Sequence, residues 1–270
     1  MTKAMKQKIL SQFTTECPWR DTLYWYDTID STNTRAKQLA KEGAPHGTVL
    51  IAGSQTGGRG RMGRSFSSPG GMGVYLSVIL RPHCTPGQLM HLTCAAAVAS
   101  CKAVEAASGV LPDIKWTNDL VCGKKKLGGI LTELSLDSAT GLVDHAIVGI
   151  GINCCQKKED FPVELQDMAT SIFQLTETPC SPARLAAALT EALYEMDRQL
   201  FTEKKQLMDM YCSRCITLGK DIVLVRGEET VYGTALDLDE DGGLLVRFAD
   251  GSKKTVSCGE VSVRGMYGYL

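Results

Sequence analysis

Residues 57–73, GGRGRMGRSFSSPGGMG, combine two residue types that suit the binding of an anion. The segment contains seven glycines, three arginines (Arg59, Arg61 and Arg64) and no acidic residue. Glycine lets backbone N–H groups approach a ligand closely, and arginine presents a planar fork of donors that matches phosphate and carboxylate. We call this segment the strap, and we predict that it wraps an anionic ligand and becomes ordered as it does so.

Two phosphate-binding motifs overlap the strap, but neither has its full context. Gly58, Gly60 and Gly63 satisfy the G-x-G-x-x-G dinucleotide fingerprint, and the same segment nearly matches a P-loop, with Arg64 at the lysine position. Both motifs need a helix directly after the loop, because the helix N-terminus receives the phosphates. A strand-like run at 74–80 follows instead. The alternatives left are a specialised anion-binding loop and a flexible basic surface loop.

Strand and helix patterns on both sides of the strap predict the frame that positions it. Helix start and stop signals predict one helix from 30–33 to 43, a second from 85–86 to 109 and a third, amphipathic one that begins at 181–182. Strands are predicted at 23–29, 48–54, 74–80, 113–116, 126–136 and 144–152. Because the strands between 126 and 152 follow each other directly, the pattern predicts an α+β fold, a mixed β-sheet with helices packed on one side.

The character of the sequence changes after Gly219. Short strand-like runs separated by glycine and acidic turns fill the rest of the chain. This pattern predicts a small, SH3-like β-barrel, and we place the domain boundary between 1–216 and 217–270. The second domain carries six basic and nine acidic residues, so its charge does not indicate nucleic-acid binding.

Composition narrows the class of protein further. The formal net charge of the 270-residue chain is −1, which provides no field to attract nucleic acid. No signal peptide and no segment long enough to span a bilayer is predicted. The eleven cysteines are scattered and odd in number, so we expect reduced thiols and a cytoplasmic location. Cys212 and Cys215 form a C-x-x-C without a second pair, which favours core thiols over a zinc site.

Five sequence blocks, taken together and in this order, resemble the biotin protein ligases. They are DSTN (30–33), SQTGGRGRMGR (54–64), KWTNDL (115–120), KKLGGILTE (125–133) and VGIGIN (148–153). The resemblance implies a biotin/lipoate ligase-like catalytic domain followed by a small β-domain. Only about 20 residues precede the first predicted strand, so the chain is expected to be of the monofunctional type, without the N-terminal DNA-binding domain of longer members.

The resemblance implies a two-step, AMP-forming reaction. Biotin would attack the α-phosphate of ATP to give biotinyl-5′-AMP, and a lysine of an apo biotin carboxyl carrier protein would then accept the biotin. Catalytic roles are implied for Lys126, Arg61 and Arg59, since cations must offset the repulsion between a carboxylate and a polyphosphate. The residues implied to bind biotin are Ser31, Thr32, Asn33, Gln55, Arg59, Gly60, Arg61, Lys126, Gly129 and Gly149.

The resemblance also implies that one part of the site binds the nucleotide. The residues expected there are Arg61, Arg64, Phe66, Asn118, Asp119 and Asn153, with Phe66 where the family usually has a tryptophan that packs on adenine. Asp119 is the candidate ligand for Mg²⁺, acting together with the phosphates. A lipoate–protein ligase and a biotin-binding regulator without transfer activity are the alternatives. No membrane or nucleic-acid partner is expected, and the sequence leaves open whether the protein is a monomer or a homodimer.

Overall fold

A computed structural model describes residues 2–257 and 262–265 and contains two β-sheets. The larger sheet has seven strands in the order β1-β2-β3-β7-β6-β5-β4. Its β1 and β2 are parallel and every other neighbouring pair is antiparallel, so the sheet is mixed. The strands are β1 (Leu23–Tyr26), β2 (Thr48–Ala52), β3 (Gly73–Leu80), β4 (Asp113–Lys115), β5 (Asp119–Cys122), β6 (Lys125–Leu136) and β7 (Val143–Asn153).

Both faces of this sheet are covered, which explains why β2 and β3 are buried along their whole length. Val49 and Ile51 point into the main core, whereas Leu50 between them packs into a second, smaller core. This alternation follows from the two-residue period of a strand. The helices are α1 (Thr2–Leu10), α2 (Thr32–Lys41), α3 (Leu92–Ser108), α4 (Ile172–Thr176), α5 (Pro182–Gln199) and α6 (Lys204–Arg214).

The mixed sheet and the α+β class are confirmed, and the structure adds a helix on the second face. The long helices α3 and α5 pack against each other on the main core side. Helix α2 instead places Ala36 and Ala40 against Leu50 and Ile79 on the other side of the sheet. Because α2 covers only part of that side, which we call the α2 face, the rest of it is available to the strap.

Two expectations about α3 need correction. The helix begins at Leu92 after a short 3-10 turn at Gly87–Leu89, later than the predicted start at 85–86. It ends as predicted, with Gly109 at φ 75°. Contrary to the expectation that no segment could span a bilayer, Gly87–Ser108 is long and apolar enough by composition, but 72 % of its apolar 18-residue window is buried inside the protein. Its apolarity is therefore that of a core helix.

The C-terminal strands form a separate antiparallel sheet in the order β11-β10-β9-β8-β12. The strands are β8 (Asp221–Arg226), β9 (Glu229–Leu238), β10 (Leu244–Phe248), β11 (Lys253–Val256) and β12 (Ser262–Gly265). The predicted small β-domain is confirmed as this five-stranded sheet. Residues 258–261 and 266–270 lie outside the described residues, so closure into a barrel and the exact domain boundary stay predictions.

Candidate functional site on the α2 face

The strap connects β2 to β3 and folds back on itself over the α2 face. The Gly60 N–H donates to the Arg64 carbonyl at 2.7 Å, and the Phe66 N–H donates to the Gly58 carbonyl at 2.9 Å. Its tip is a 3-10 turn at Arg61–Gly63 in which Met62 has φ 54° and is 57 % exposed. No helix follows the strap before β3, which confirms that the dinucleotide and P-loop contexts are missing.

A buried polar network joins the start of α2 to the root of the strap. The Gln55 side-chain carbonyl accepts from the Thr32 backbone N–H at 2.8 Å and from the Thr32 hydroxyl at 3.1 Å. The Ser77 hydroxyl lies 2.7 Å from Thr32 Oγ1 and 2.6 Å from Asn33 Oδ1. Ser31 is buried at the N-cap position but makes no side-chain capping bond. Four of the predicted biotin-side residues therefore lie together, and capping does not account for them.

Arg59 is bound to a glutamate that the sequence analysis did not single out. Its guanidinium makes two contacts with the Glu133 carboxylate, Nη2 to Oε1 at 3.1 Å and Nη1 to Oε2 at 3.3 Å. Glu133 also accepts from Lys37 and Asn33. Burial raises the pKa of the Glu133 carboxyl, but the hydrogen bonds from Lys37 and Asn33 and the nearby positive charges outweigh it, so the pKa lies below its usual value.

Arg61 and Lys126 are held by two consecutive residues. Arg61 Nη1 donates at 3.0 Å both to the Thr117 hydroxyl and to Asn118 Oδ1. Lys126 Nζ donates to Asp119 Oδ1 at 2.5 Å. Asn118 lies in the turn between β4 and β5, and its amide is fixed by a 3.0 Å bond to the Ile130 carbonyl. The strap and β6 thus bring two cations to one corner of the sheet.

A register shift between β5 and β6 accounts for the direction of Lys126. Asp119 pairs with Gly129, but beyond Leu120 the register slips by one residue, so that Val121 pairs with Lys126. Without this shift Lys126 and Gly129 would point to opposite faces, because side chains alternate along a strand. Instead Lys126 Nζ lies 3.2 Å from the position where a Gly129 Cβ would stand. Gly129 therefore leaves room for the lysine.

Two glycines of β7 give space to protein side chains. A Cβ at Gly149 would overlap the Asn33 amide, and a Cβ at Gly151 would lie 2.5 to 3.0 Å from the Phe66 ring. Phe66 also meets Tyr75 edge to face, with ring centroids 6.4 Å apart. In this structure Phe66 therefore rests on the sheet beside Gly151, so its predicted contact with adenine stays a prediction.

The remaining predicted residues differ in how they are placed. Gly60 separates Arg59 from Arg61 in the strap, and Arg64 is exposed at the end of the 3-10 turn. Asn153 is buried, donates to the Thr170 carbonyl at 3.0 Å and accepts from Gln156. Its amide is thus used by the protein itself, and its assignment to the nucleotide stays a prediction. Among the described residues, no group of three or more His, Cys, Asp or Glu could hold a metal ion.

Comparison with known proteins shows to which family this chain belongs. The Biotin/lipoate A/B protein ligase family matches residues 25–153, and the Biotin protein ligase C terminal domain matches residues 217–264. The chain is 38 % identical over 239 residues to the Bifunctional ligase/repressor BirA of Bacillus spizizenii, covering 87 % of this chain and 72 % of the relative. The chain belongs to the biotin protein ligase family.

Two further relatives place most of the chain within this family. It is 32 % identical over 237 residues to the Biotin--[acetyl-CoA-carboxylase] ligase of Mycobacterium tuberculosis, covering 86 % of this chain and 85 % of that protein. The structure of the biotin protein ligase from Aquifex aeolicus in complex with biotin and ATP matches with a TM-score of 0.76 and 31 % identity, covering 90 % of this chain and 98 % of that chain. The resemblance inferred from five short blocks is confirmed.

Proposed function

We propose that this protein is a biotin–[biotin carboxyl carrier protein] ligase that activates biotin with ATP and transfers it to a lysine. The observation that carries the proposal is that two consecutive residues, Asn118 and Asp119, hold Arg61 and Lys126. Two cations from different elements, fixed by consecutive residues, suit a reaction that brings two anions together. Relatives with ligase names, and one solved with biotin and ATP, support the same conclusion.

In the first step an oxygen of the biotin carboxylate attacks the α-phosphorus of ATP, and pyrophosphate leaves. The reacting groups repel each other, and fixed guanidinium and ammonium groups offset that repulsion best in a site that is partly shielded from water. Arg61 and Lys126 are 2.5 to 3.0 Å from protein oxygens and are therefore already oriented before a ligand binds. Little reorganisation then remains when charge develops on the phosphate.

In the second step the amine of a carrier lysine attacks the acyl carbon of biotinyl-5′-AMP, and AMP leaves while the amine loses a proton. The buried network of Thr32, Asn33, Gln55 and Ser77 offers donors and acceptors for a small polar ring such as the ureido group of biotin. A pocket that pairs such groups rejects ligands that lack them, because its own polar atoms would be left unpaired.

Asp119 fits a magnesium site that is completed by the nucleotide. Mg²⁺ is commonly held by one or two carboxylates together with substrate phosphates, and Asp119 is the carboxylate that lies against Lys126. When bound, Mg²⁺ would neutralise part of the polyphosphate charge. Asp119 would hold the ion, and Lys126, bonded to the same carboxylate, would bring its positive charge close to the anionic substrates.

The location and the partners follow from the same proposal. All ten described cysteines are free thiols, which supports a reducing, cytoplasmic location. The acceptor is an apo biotin carboxyl carrier protein, as the family implies. We propose no nucleic-acid or membrane partner, and both a monomer and a homodimer are compatible with the proposed reaction.

One experiment tests the function directly. The purified chain is incubated with biotin, ATP, Mg²⁺ and an apo carrier domain, and the carrier is weighed by mass spectrometry; we expect the mass of one biotinyl group to be added. Parallel samples contain lipoate in place of biotin, or EDTA in place of Mg²⁺, and we expect neither to label the carrier. Labelling by lipoate alone would overturn the assignment, and adenylate without transfer would favour a regulator.

A further inference from the structure

Three cysteines meet where the end of β7 approaches the start of α5. Cys154 and Cys155 directly follow β7, and Cys180 directly precedes Ser181, the N-cap of α5. Cys154 Sγ lies 3.6 Å and Cys155 Sγ lies 3.3 Å from the carbonyl oxygen of Cys180. The tertiary structure thus brings together thiols that are far apart in the sequence, and none of them has a role in the proposed reaction.

Cys180 combines the two properties that make a thiol reactive, negative charge and access to solvent. A hydrogen bond from the Cys154 thiol and the positive charge of Arg184 lower the pKa of Cys180, although burial raises it. The residue is partly exposed, and it lies at the N-terminal end of a long helix, where a negative charge is favoured. Because the thiolate is the form that reacts with oxidants, Cys180 is the thiol of the three that would react first.

Cys154 has the opposite properties. The residue is fully buried, and the hydrogen bond to Cys180 together with burial raises the pKa of its thiol, which therefore stays protonated at neutral pH. Its backbone is also fixed, because its N–H donates to the Met72 carbonyl at 3.0 Å and its carbonyl accepts from the Phe173 N–H at 2.9 Å. A buried thiol that is held beside Cys180 is suited to react with that neighbour and not with a solute.

We propose that Cys180 and Cys154 form an oxidation site, at which a hydroperoxide converts the two thiols to a reversible disulfide bond. The Cys180 thiolate attacks an oxygen of the hydroperoxide, the O–O bond breaks, and Cys180 becomes a sulfenic acid. The alkoxide, or hydroxide, that leaves takes a proton from water. The Cys154 sulfur then attacks the Cys180 sulfur, the S–O bond breaks, and hydroxide leaves with the thiol proton as water. Two thiols lose two electrons in all, and one hydroperoxide is reduced.

The pair lies next to the strap, although the proposal does not depend on the ligase function. The N–H groups of Cys154 and Cys155 both donate to the carbonyl of Met72, one residue before the end of the strap. A disulfide would fasten the end of β7, at this point, to the start of α5. Such a bond is compatible with a reducing location, because the disulfides that form there are usually transient and redox-sensing or catalytic.

Peptide mapping of the full chain tests the site. The reduced protein is treated with hydrogen peroxide at neutral pH, the remaining thiols are blocked with iodoacetamide, and tryptic peptides are analysed by mass spectrometry without reduction. We expect a disulfide-linked pair of peptides, with fragment ions that assign the bond to Cys154 and Cys180, and we expect dithiothreitol to abolish it. A missing linked pair, or a bond from Cys180 to Cys155 in its place, would overturn the proposal.

Variants and an internal control separate the roles of the thiols. In Cys154→Ser the reaction should stop at the sulfenic acid of Cys180, which dimedone traps, whereas Cys155→Ser should form the disulfide as the wild type does. If Cys154→Ser does not fold, the fragment ions of the wild type still identify the bonded sulfur. The C-x-x-C pair Cys212 and Cys215 is the control, because burial raises the pKa of both thiols. Equal formation of a bond between them would show unselective oxidation and contradict the site.

Discussion

At the scale of single residues, the direction of Lys126 depends on the main chain around it. The register shift after Leu120 brings its ammonium to the face that carries Asp119 and the strap. Its backbone is held as well, because the Lys126 N–H donates to the Met168 carbonyl and its carbonyl accepts from Thr170, both at 2.8 Å. A lysine whose backbone and side chain are both fixed is suited to act on a group that must be placed to within a fraction of an ångström.

We predict that Lys126→Ala lowers the rate of biotinyl-5′-AMP formation by about 10²-fold or more, the loss seen when one fixed donor to a developing charge is removed. The fold should survive, because the lysine is partly exposed. Pyrophosphate release measures the rate, and circular dichroism checks the fold. Lys124→Ala is the matched control, since this lysine is exposed in the turn directly before β6. Equal rates in the two variants would contradict the role of Lys126.

A second prediction at this scale compares the thiols of Cys180 and Cys212. A hydrogen bond from the Cys154 thiol and the charge of Arg184 lower the pKa of Cys180, although burial raises it, whereas burial raises the pKa of Cys212. Both thiols are partly exposed. Since the thiolate is the reactive form, we expect iodoacetamide at pH 7.5 to label Cys180 several times faster than Cys212. Peptide mass spectrometry measures the two rates, and faster labelling of Cys212 would refute the prediction.

At the scale of elements, the α2 face can accommodate other groups because glycines of the neighbouring strands β6 and β7 leave space where those groups approach the sheet. Gly149 makes room for Asn33 of α2, Gly151 for Phe66 of the strap, and Gly129 for Lys126. Gly129 and Gly151 are also direct cross-strand partners. The glycines of β6 and β7 thus allow the helix, the strap and the lysine to meet on one sheet.

We predict that Gly149→Ala destabilises the protein by about 1–3 kcal/mol, the usual effect of an added methyl group in a filled space. The new Cβ would displace Asn33 and disturb its bonds to Ser77 and Glu133. Urea unfolding followed by circular dichroism gives the free energy. Gly87→Ala is the control, because its Cβ would meet nothing within 4 Å, and it should change the stability by less than about 0.5 kcal/mol. Similar values for the two variants would argue against this packing.

Local patterns were sufficient to predict most elements, because they depend on short-range physics. The continuous apolar runs of β2 and β3, the Ser181 cap that accepts from the Arg184 N–H, and the left-handed Gly109 are readable from a few neighbouring residues. The position of α2 on the second face is not, since both faces of β2 and β3 are apolar and the pattern does not say which helix covers which face. Because β2 and β3 are buried on both sides, their residues do not distinguish one face of the sheet from the other.

The site, like the fold, was predicted only in part from the sequence. The family blocks led to Lys126, Arg61, Asn118 and Asp119, which do lie together. Glu133, the partner of Arg59, was not predicted to contact the strap although it ends one of those blocks, because a glutamate near a strand end is usually solvated. The sequence did contain one indication of its position: Gly129 and Glu133 are four residues apart in β6, and the two-residue period of a strand places them on the same face. The pairing with Arg59 spans 74 residues and follows only from the tertiary structure.

At the scale of the whole molecule, the C-terminal sheet supports the turn that holds Arg61. The Trp116 indole N–H donates to the Gly242 carbonyl at 2.9 Å, and the Trp116 backbone N–H donates to the Thr217 hydroxyl at 3.0 Å. Tyr211 of α6 donates to the Thr117 carbonyl at 3.0 Å. The turn at 116–118 is therefore held from both the last helix and the second sheet. The small domain can thus affect catalysis without contacting the substrates.

We predict that Trp116→Phe lowers the free energy of unfolding by about 1–3 kcal/mol, since the buried Gly242 carbonyl loses its donor. Trp25→Phe is the matched control: its indole bonds Asp27 at the surface, so the same substitution should cost less than about 1 kcal/mol. Urea unfolding compares the two. Because the 116–118 turn orients Arg61, we also expect Trp116→Phe, but not Trp25→Phe, to slow pyrophosphate release. If both variants kept full activity and equal stability, the second sheet would not support the site.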